Sequence, residues 1–224
     1  MINFVPIFPL GIIVYPGEQL NLHIFEPRYK QLITECVKEN KPFGIPAVIK
    51  DRLQEWGTTV QVEEVVSTDE NGEMDIRTRG GKVFRILEVV KEIPEKLYSG
   101  AIVNYPDNNE AGSAEAMRRL IGNIRELYKM LKVEKDFKKR DEELNSYDIA
   151  HHVGLSLEEE LEFLKLMQER QRQEFLKRHL VKVLPLLAEM EELKKKVKLN
   201  GHFKNLSNFD FDWTLKRPDD EGSD

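Results

Sequence analysis

Apolar positions recur with a period of two through much of the first hundred residues and with a helical period after them, which predicts a sheet followed by packed helices. Ile12, Ile13 and Val14 form an apolar run that reads as a strand. Pro16-Gly17 then reads as the centre of a type II turn, because proline presets φ at about −65° and glycine accepts a positive φ. Beyond it Leu20, Leu22 and Ile24 alternate with Gln19, Asn21 and His23, a strand with one buried face. Glu26-Pro27 starts a helix, with proline at the first helical position, and Tyr29, Leu32, Ile33, Cys36 and Val37 supply its apolar stripe. Phe43–Ile49 is a short apolar run. Gly57–Val62 alternates, and Val65-Val66 breaks the alternation as a bulge would. Asp69–Gly72 is a hairpin cluster, with Asn71-Gly72 able to take positive φ twice, leading into Met74–Thr78. Gly80-Gly81 is expected to reverse the chain again, and Val83–Leu87 and Ala101–Tyr105 complete a small barrel or curled sheet.

Pro106–Ser113 is polar and turn-rich, so a domain boundary is expected there, with residues 1–105 as the barrel half and 106–200 as the helical half. Ser113 caps a helix that buries Ala116, Leu120, Ile124, Leu127, Tyr128 and Leu131. The charged stretch from Lys132 to Glu143 reads as a solvated helical extension or a loop. Ser146–Gly154 is a short helix ended by glycine, and Ser156 with Glu159 forms a capping box for the next. Leu157, Leu161, Leu164, Met167, Phe175, Leu176, His179, Leu180, Val183, Leu184 and Leu187 keep helical spacing, and Pro185 is expected to kink or divide that helix near Val181. Residues 201–224 form an aromatic and acidic tail. In it Phe209, Phe211 and Trp213 share a parity, suiting a strand that docks on its own sheet or is offered to a partner.

The stretch Phe8-Pro9-Leu10, Pro16-Gly17 and Leu22–Tyr29 (LHIFEPRY), followed by Phe43-Gly44-Ile45, resembles the opening of the Lon protease N-terminal, substrate-binding domain family, a module also found in stand-alone bacterial proteins and in cereblon. LHIFEPRY is more similar to the stand-alone and cereblon-type members than to full bacterial Lon. The strand succession GT..V.V..VV, NGEMDI and FRI resembles that family's barrel, and the helices with Glu169-Arg170-Gln171-Arg172 are similar to its helical part. The resemblance implies an α+β fold, a PUA-like small β-barrel with one early helix followed by an α-helical bundle. Nothing in the chain resembles Lon's ATPase module or its serine-lysine protease domain.

Composition adds exclusions. Hydrophobic residues make up 40% of the 224-residue chain and charged ones 33%, which fits a globular protein, and no apolar run approaches a membrane span. MINFVPIFPL carries neither a basic n-region nor a small-residue cleavage site, so no secretory signal is expected. The lone Cys36 excludes an internal disulfide and sits on the apolar stripe as a buried thiol; a reducing, cytoplasmic setting is the expectation. A net charge of −6 argues against non-specific nucleic-acid binding.

Candidate chemistry is sparse. His151-His152 diverge on a helix and lack a completing ligand set, so no metal is expected and both read as surface or cap histidines. Glu158–Glu160 and Glu191-Glu192 read as solvated faces. Glu26 and Arg28 read as a pair that fixes the strand-to-helix turn. Gly80-Gly81-Lys82 is no phosphate loop, since Val83 stands where the hydroxyl would be. No nucleophile and base are legible, and no cofactor is called for. Tyr15, Trp56, Tyr98 and Tyr105 read as barrel core or rim, or as the lining of a groove for exposed apolar client segments. The resemblance therefore implies a non-catalytic module that recognises unfolded or degron-bearing polypeptides, as a proteolysis adaptor or chaperone-like factor, with a client or a protease or chaperone as partner. The alternative is an RNA-binding protein using the barrel and the basic run Arg170, Arg172, Lys177, Arg178 and Lys182. The binding residues themselves are not readable from the sequence.

Overall fold

Pro16-Gly17 makes the expected turn: Gly17 has φ 81°, and the Glu18 N–H donates to the Tyr15 carbonyl at 3.2 Å. In this computed structural model, which describes residues 2–199, the turn leads into β2, Gln19–Ile24. The residues before the turn are not a strand. The first strand, β1, is Ile2–Pro6, and Ile7 and Leu10 instead make isolated bridges to Gly44 and Ala47. The helix α1, Pro27–Glu39, starts on Pro27 as expected and buries Tyr29, Leu32, Ile33 and Cys36, but Val37 is exposed.

The remaining strands are β3 (Phe43–Ile49), β4 (Arg52–Thr68), β5 (Met74–Val90) and β6 (Gly100–Asn104), in the antiparallel order β1-β6-β5-β4-β3, with β2 also on β5. The segment after β1 closes the sheet. The Ile7 N–H donates to Ser99 O at 2.9 Å, the Phe8 N–H to Gly44 O at 2.8 Å, and the Val48 N–H to Leu10 O at 2.8 Å. Strand β5 is longer than its alternation suggests, because it runs straight through Gly80-Gly81. Glycine is needed there for close approach rather than reversal: a Cβ on Gly80 would lie 2.1 Å from the Tyr15 carbonyl oxygen. In the hairpin only Gly72 has positive φ, and Asp69 Oδ1 accepts from Asn71 and Glu73 N–H, so Asn71 needs no left-handed conformation. Register shifts between Val62 and Glu64 and between Val65 and Ser67 confirm the break in alternation.

The helices follow: α2 (Ala114–Leu131), α3 (Ser146–Ala150), α4 (Leu157–Leu164) and α5 (Glu169–Leu199). Ser113 accepts from Ala116 N–H at 3.2 Å, and Ser156 with Glu159 forms the capping box. Helix α2 buries Met117 and Ile121 beside Leu120, Ile124, Leu127 and Tyr128, whereas Leu131 is exposed. Helix α5 stays helical through Pro185 and is not divided there. The described residues divide into two units between Val183 and Leu184. Within the second unit, Leu186, Met190 and Leu193 are exposed. Phe209, Phe211, Trp213 and the rest of the 201–224 tail lie outside the described residues.

Candidate functional site

Helix α2 and the first turns of α5 leave a groove of about 870 Å³ between them. Its lining combines apolar positions, Ala116, Leu120 and Val181, with the exposed backbone of Gly122, and charged ones, Glu115, Arg119, Arg170, Glu174 and Lys177. The charges are largely satisfied within each helix. Arg119 pairs with Glu115 at 2.5 Å, and Glu174 takes both Lys177 and Arg178 at 3.1 Å. Val181 is 60% exposed, while Leu120 is almost wholly covered. Gly122 faces open space, with no heavy atom within 4 Å of where a Cβ would stand. From residue 113 to 123 the helical rise spans about 15 Å, the length of roughly five extended residues.

One wall of this groove is fixed by a buried polar seam. Glu169 and Arg172 are almost fully buried and pair at 2.9 Å; the carboxylate accepts from the Ser146 N–H at 2.9 Å and the Ser146 hydroxyl at 2.6 Å. Arg172 also donates to Asn108 Oδ1 at 2.8 Å and to the Leu166 carbonyl at 2.7 Å, and its guanidinium lies 4.1 Å from the Tyr147 ring centre. Gln173 holds Ser113 from both sides, accepting from its N–H at 2.9 Å and donating to its carbonyl at 3.2 Å. The loop 108–113 is thereby tied to α5, and of the basic run Arg170, Lys177, Arg178 and Lys182 are exposed. Arg172 is inside, and Lys177 and Arg178 share Glu174.

The aromatic candidates separate. Tyr15 is fully buried with Tyr147 and Phe163, at ring separations of 5.7 and 5.4 Å, and joins the sheet to α3 and α4. Burial pushes its phenol pKa well up, with Glu160 and Glu18 adding to the rise. Tyr98 is buried and donates to Glu35. Tyr105 is half-buried beside Lys82 and lines a shallow depression with Pro42, Thr59 and Gln61, so it keeps a rim position. Trp56, opposite Arg85 in the β4–β5 ladder, is partly exposed. Glu26 and Arg28 do pair, at 2.7 Å and in solvent.

The adjacent histidines take opposite roles. Burial pulls the His151 pKa down, but hydrogen bonds to Glu160 at 2.7 Å and Glu18 at 3.2 Å outweigh it and carry the imidazole up to about 9. His152 is pushed down to about 4 by burial, then by Lys135 and His151, and its Nδ1 faces the Tyr128 hydroxyl. Among the described residues no cluster of three His, Cys, Asp or Glu side chains suits a metal. Cys36 is buried, and burial pushes its thiol up to about 12, the opposite of an activated nucleophile. On the outer sheet face His23 and Ser67 both bond to Asp75, at 2.9 and 2.7 Å. The carboxylate stands between them, so the hydroxyl donates to an acid and touches no base.

Neither the groove nor the seam is visible in the periodicity. The one sequence signal for the groove is Gly122, a glycine inside a helical pattern with no turn to make.

A family model described as the ATP-dependent protease La (LON) substrate-binding domain matches residues 5–182. Among solved structures, the chain is similar to a Lon N-terminal domain protein from Xanthomonas campestris, with 22% identity and a TM-score of 0.59 over 78% of this chain and 96% of that one. It is also similar to the N-terminal domain of Lon protease from Mycobacterium avium complex, with 14% identity and a TM-score of 0.58 over 80% and 98% of the two chains. At these identities the likeness is one of fold. No curated protein matched the chain.

Proposed function

The chain belongs to the family of the ATP-dependent protease La (LON) substrate-binding domain, and on that premise we propose that this substrate-binding module recognises unfolded or degron-bearing polypeptides without catalysing a reaction on them. The observation that carries the reading is the groove between α2 and α5. Ala116 and the exposed Val181 offer apolar contact to a short extended segment. The groove's charged rim, apart from Arg170, is paired within each helix, so it selects for exposure of apolar side chains more than for one charge pattern. A partner that holds such segments without cleaving them serves as a proteolysis adaptor or as a chaperone-like factor. No helix among the described residues is long and apolar enough to cross a membrane.

Gly122 supplies the test, because it lines the groove and a Cβ there meets no heavy atom within 4 Å. Gly122→Trp is expected to lower affinity for a reduced and alkylated polypeptide by about tenfold while the melting temperature is kept. Undiminished binding would remove the groove from the account.

A further inference from the structure

The β2, β5 and β4 segments beyond Val60 form a three-stranded arm with two outer edges, and the edges are built differently. The β4 edge, Gln61–Thr68, is broken by two register shifts and carries Glu63 and Glu64, which pair across the arm with Arg79 and Arg77. Bulges and charges of this kind keep an edge from accepting another strand. The β2 edge has no bulge, and its one titratable side chain, His23, is paired with Asp75 at 2.9 Å and Glu73 at 3.4 Å. Gln19–Ile24 pairs with Arg79–Met74 in unbroken register, contains no proline and carries no Asp, Glu, Lys or Arg.

Its backbone polarity follows from the ladder. The Gly80 N–H donates to Glu18 O at 2.8 Å, so the alternation of an antiparallel pair turns the backbone groups of Leu20, Leu22 and Ile24 toward β5. Those of Gln19, Asn21 and His23 point away from it, and among the described residues no other strand pairs with β2. On the inner face Leu20 and Leu22 are only partly covered.

We propose that the β2 edge takes an extended segment of an unfolded client as an added strand, joined by main-chain hydrogen bonds to Gln19, Asn21 and His23. The occupant's chemistry is set by the face it extends. Residues opposite Leu20 and Leu22 are apolar, and those opposite Gln19, Asn21 and His23 are polar. A stretch of alternating character that a folded protein hides and an unfolded one exposes fits this pattern. The inference rests on the polypeptide-binding reading above and adds a second contact independent of the groove.

Asn21→Pro is the decisive variant. It deletes an outward N–H that β5 does not use, and proline is tolerated on such an edge. Measured on the full chain by fluorescence anisotropy against a reduced and carboxymethylated polypeptide, Asn21→Pro is expected to weaken binding about tenfold, and Asn21→Ala, which keeps the N–H, less than about twofold. Amide hydrogen exchange of the unaltered chain supplies a readout that needs no variant. Saturation with the same polypeptide should slow exchange at Gln19, Asn21 and His23 and leave Leu20 and Leu22 unchanged. Parent-like binding by Asn21→Pro, with no added protection at those three amides, would overturn the edge while leaving polypeptide binding in place. Absence of binding by the parent chain would overturn both. A concentration-dependent dimer lost in Asn21→Pro would make the occupant a second copy and also overturn the proposal.

Discussion

Around Leu32 and Phe43 the first unit is held by apolar side chains, with Ile33, Ile45, Val60 and Ile76 packed into one cluster beneath α1. Around Arg172 it is held by a buried ion pair and the hydrogen bonds that complete it. The two regions fail differently when altered. An apolar core loses transfer energy and gains a cavity, in proportion to what is removed. A buried pair contributes little net stability, but removal of one partner strands the other in a medium that cannot solvate it. The ion pair therefore acts chiefly on arrangement: it decides where α5 begins relative to loop 108–113 and hence where one wall of the groove stands.

The largest expected effect breaks the seam. Arg172→Met should cost about 4 kcal/mol in urea denaturation, because the buried Glu169 carboxyl loses its partner. A cost near that of an exposed arginine would show that water reaches the seam. Leu32→Ala, in the apolar region, should cost about 3 kcal/mol and leave binding at the groove unchanged once the protein is folded. Loss of binding in that variant would mean that the two regions are not separable.

His151 gives a smaller, pH-dependent test. Its folded pKa of about 9 lies above the unfolded value, so its contribution is complete below about pH 6.5 and is lost as pH rises through 9. Because the side chain is 35% exposed, solvent screening reduces the effect to about 1.5 kcal/mol. The stability difference between the parent and His151→Gln should shrink by that amount between pH 6 and pH 9.5. A difference that is flat with pH would show that Glu18 and Glu160 do not hold the charged imidazole. The smallest effect is a gain. Gly122→Ala should stabilise the protein by roughly 0.5–1 kcal/mol, since the added methyl meets open space and the helix loses its glycine.

The apolar region was legible in the sequence because its residues announce themselves by period. Leu20, Leu22 and Ile24, the Pro16-Gly17 turn, the start of α1 at Pro27 and the Ser113 and Ser156 caps are all local signals, and each was found where its chemistry placed it. The seam was not legible. Glu169 and Arg172 have the composition of a solvated helix face, and only the arrival of Ser146 and Asn108 from elsewhere in the chain makes them interior. Gly80-Gly81 was misread for the same reason: the demand on those residues comes from Tyr15 and Thr59, more than twenty positions away. Of the candidate sites, Gly122 could have been flagged as an unexplained helical glycine. The contrast between the β2 and β4 edges depends on strand order, which local patterning does not contain.

The central claim is that the chain discriminates polypeptides by their state of folding. Its most direct test is a titration of the full chain with one small disulfide-bonded protein in two forms, native and reduced-alkylated, followed by intact-mass analysis of the ligand. The account predicts saturable binding of the reduced-alkylated form at least about tenfold tighter than of the native form, with the ligand recovered uncleaved. Equal affinity for the two forms, or fragments of the ligand, would contradict it.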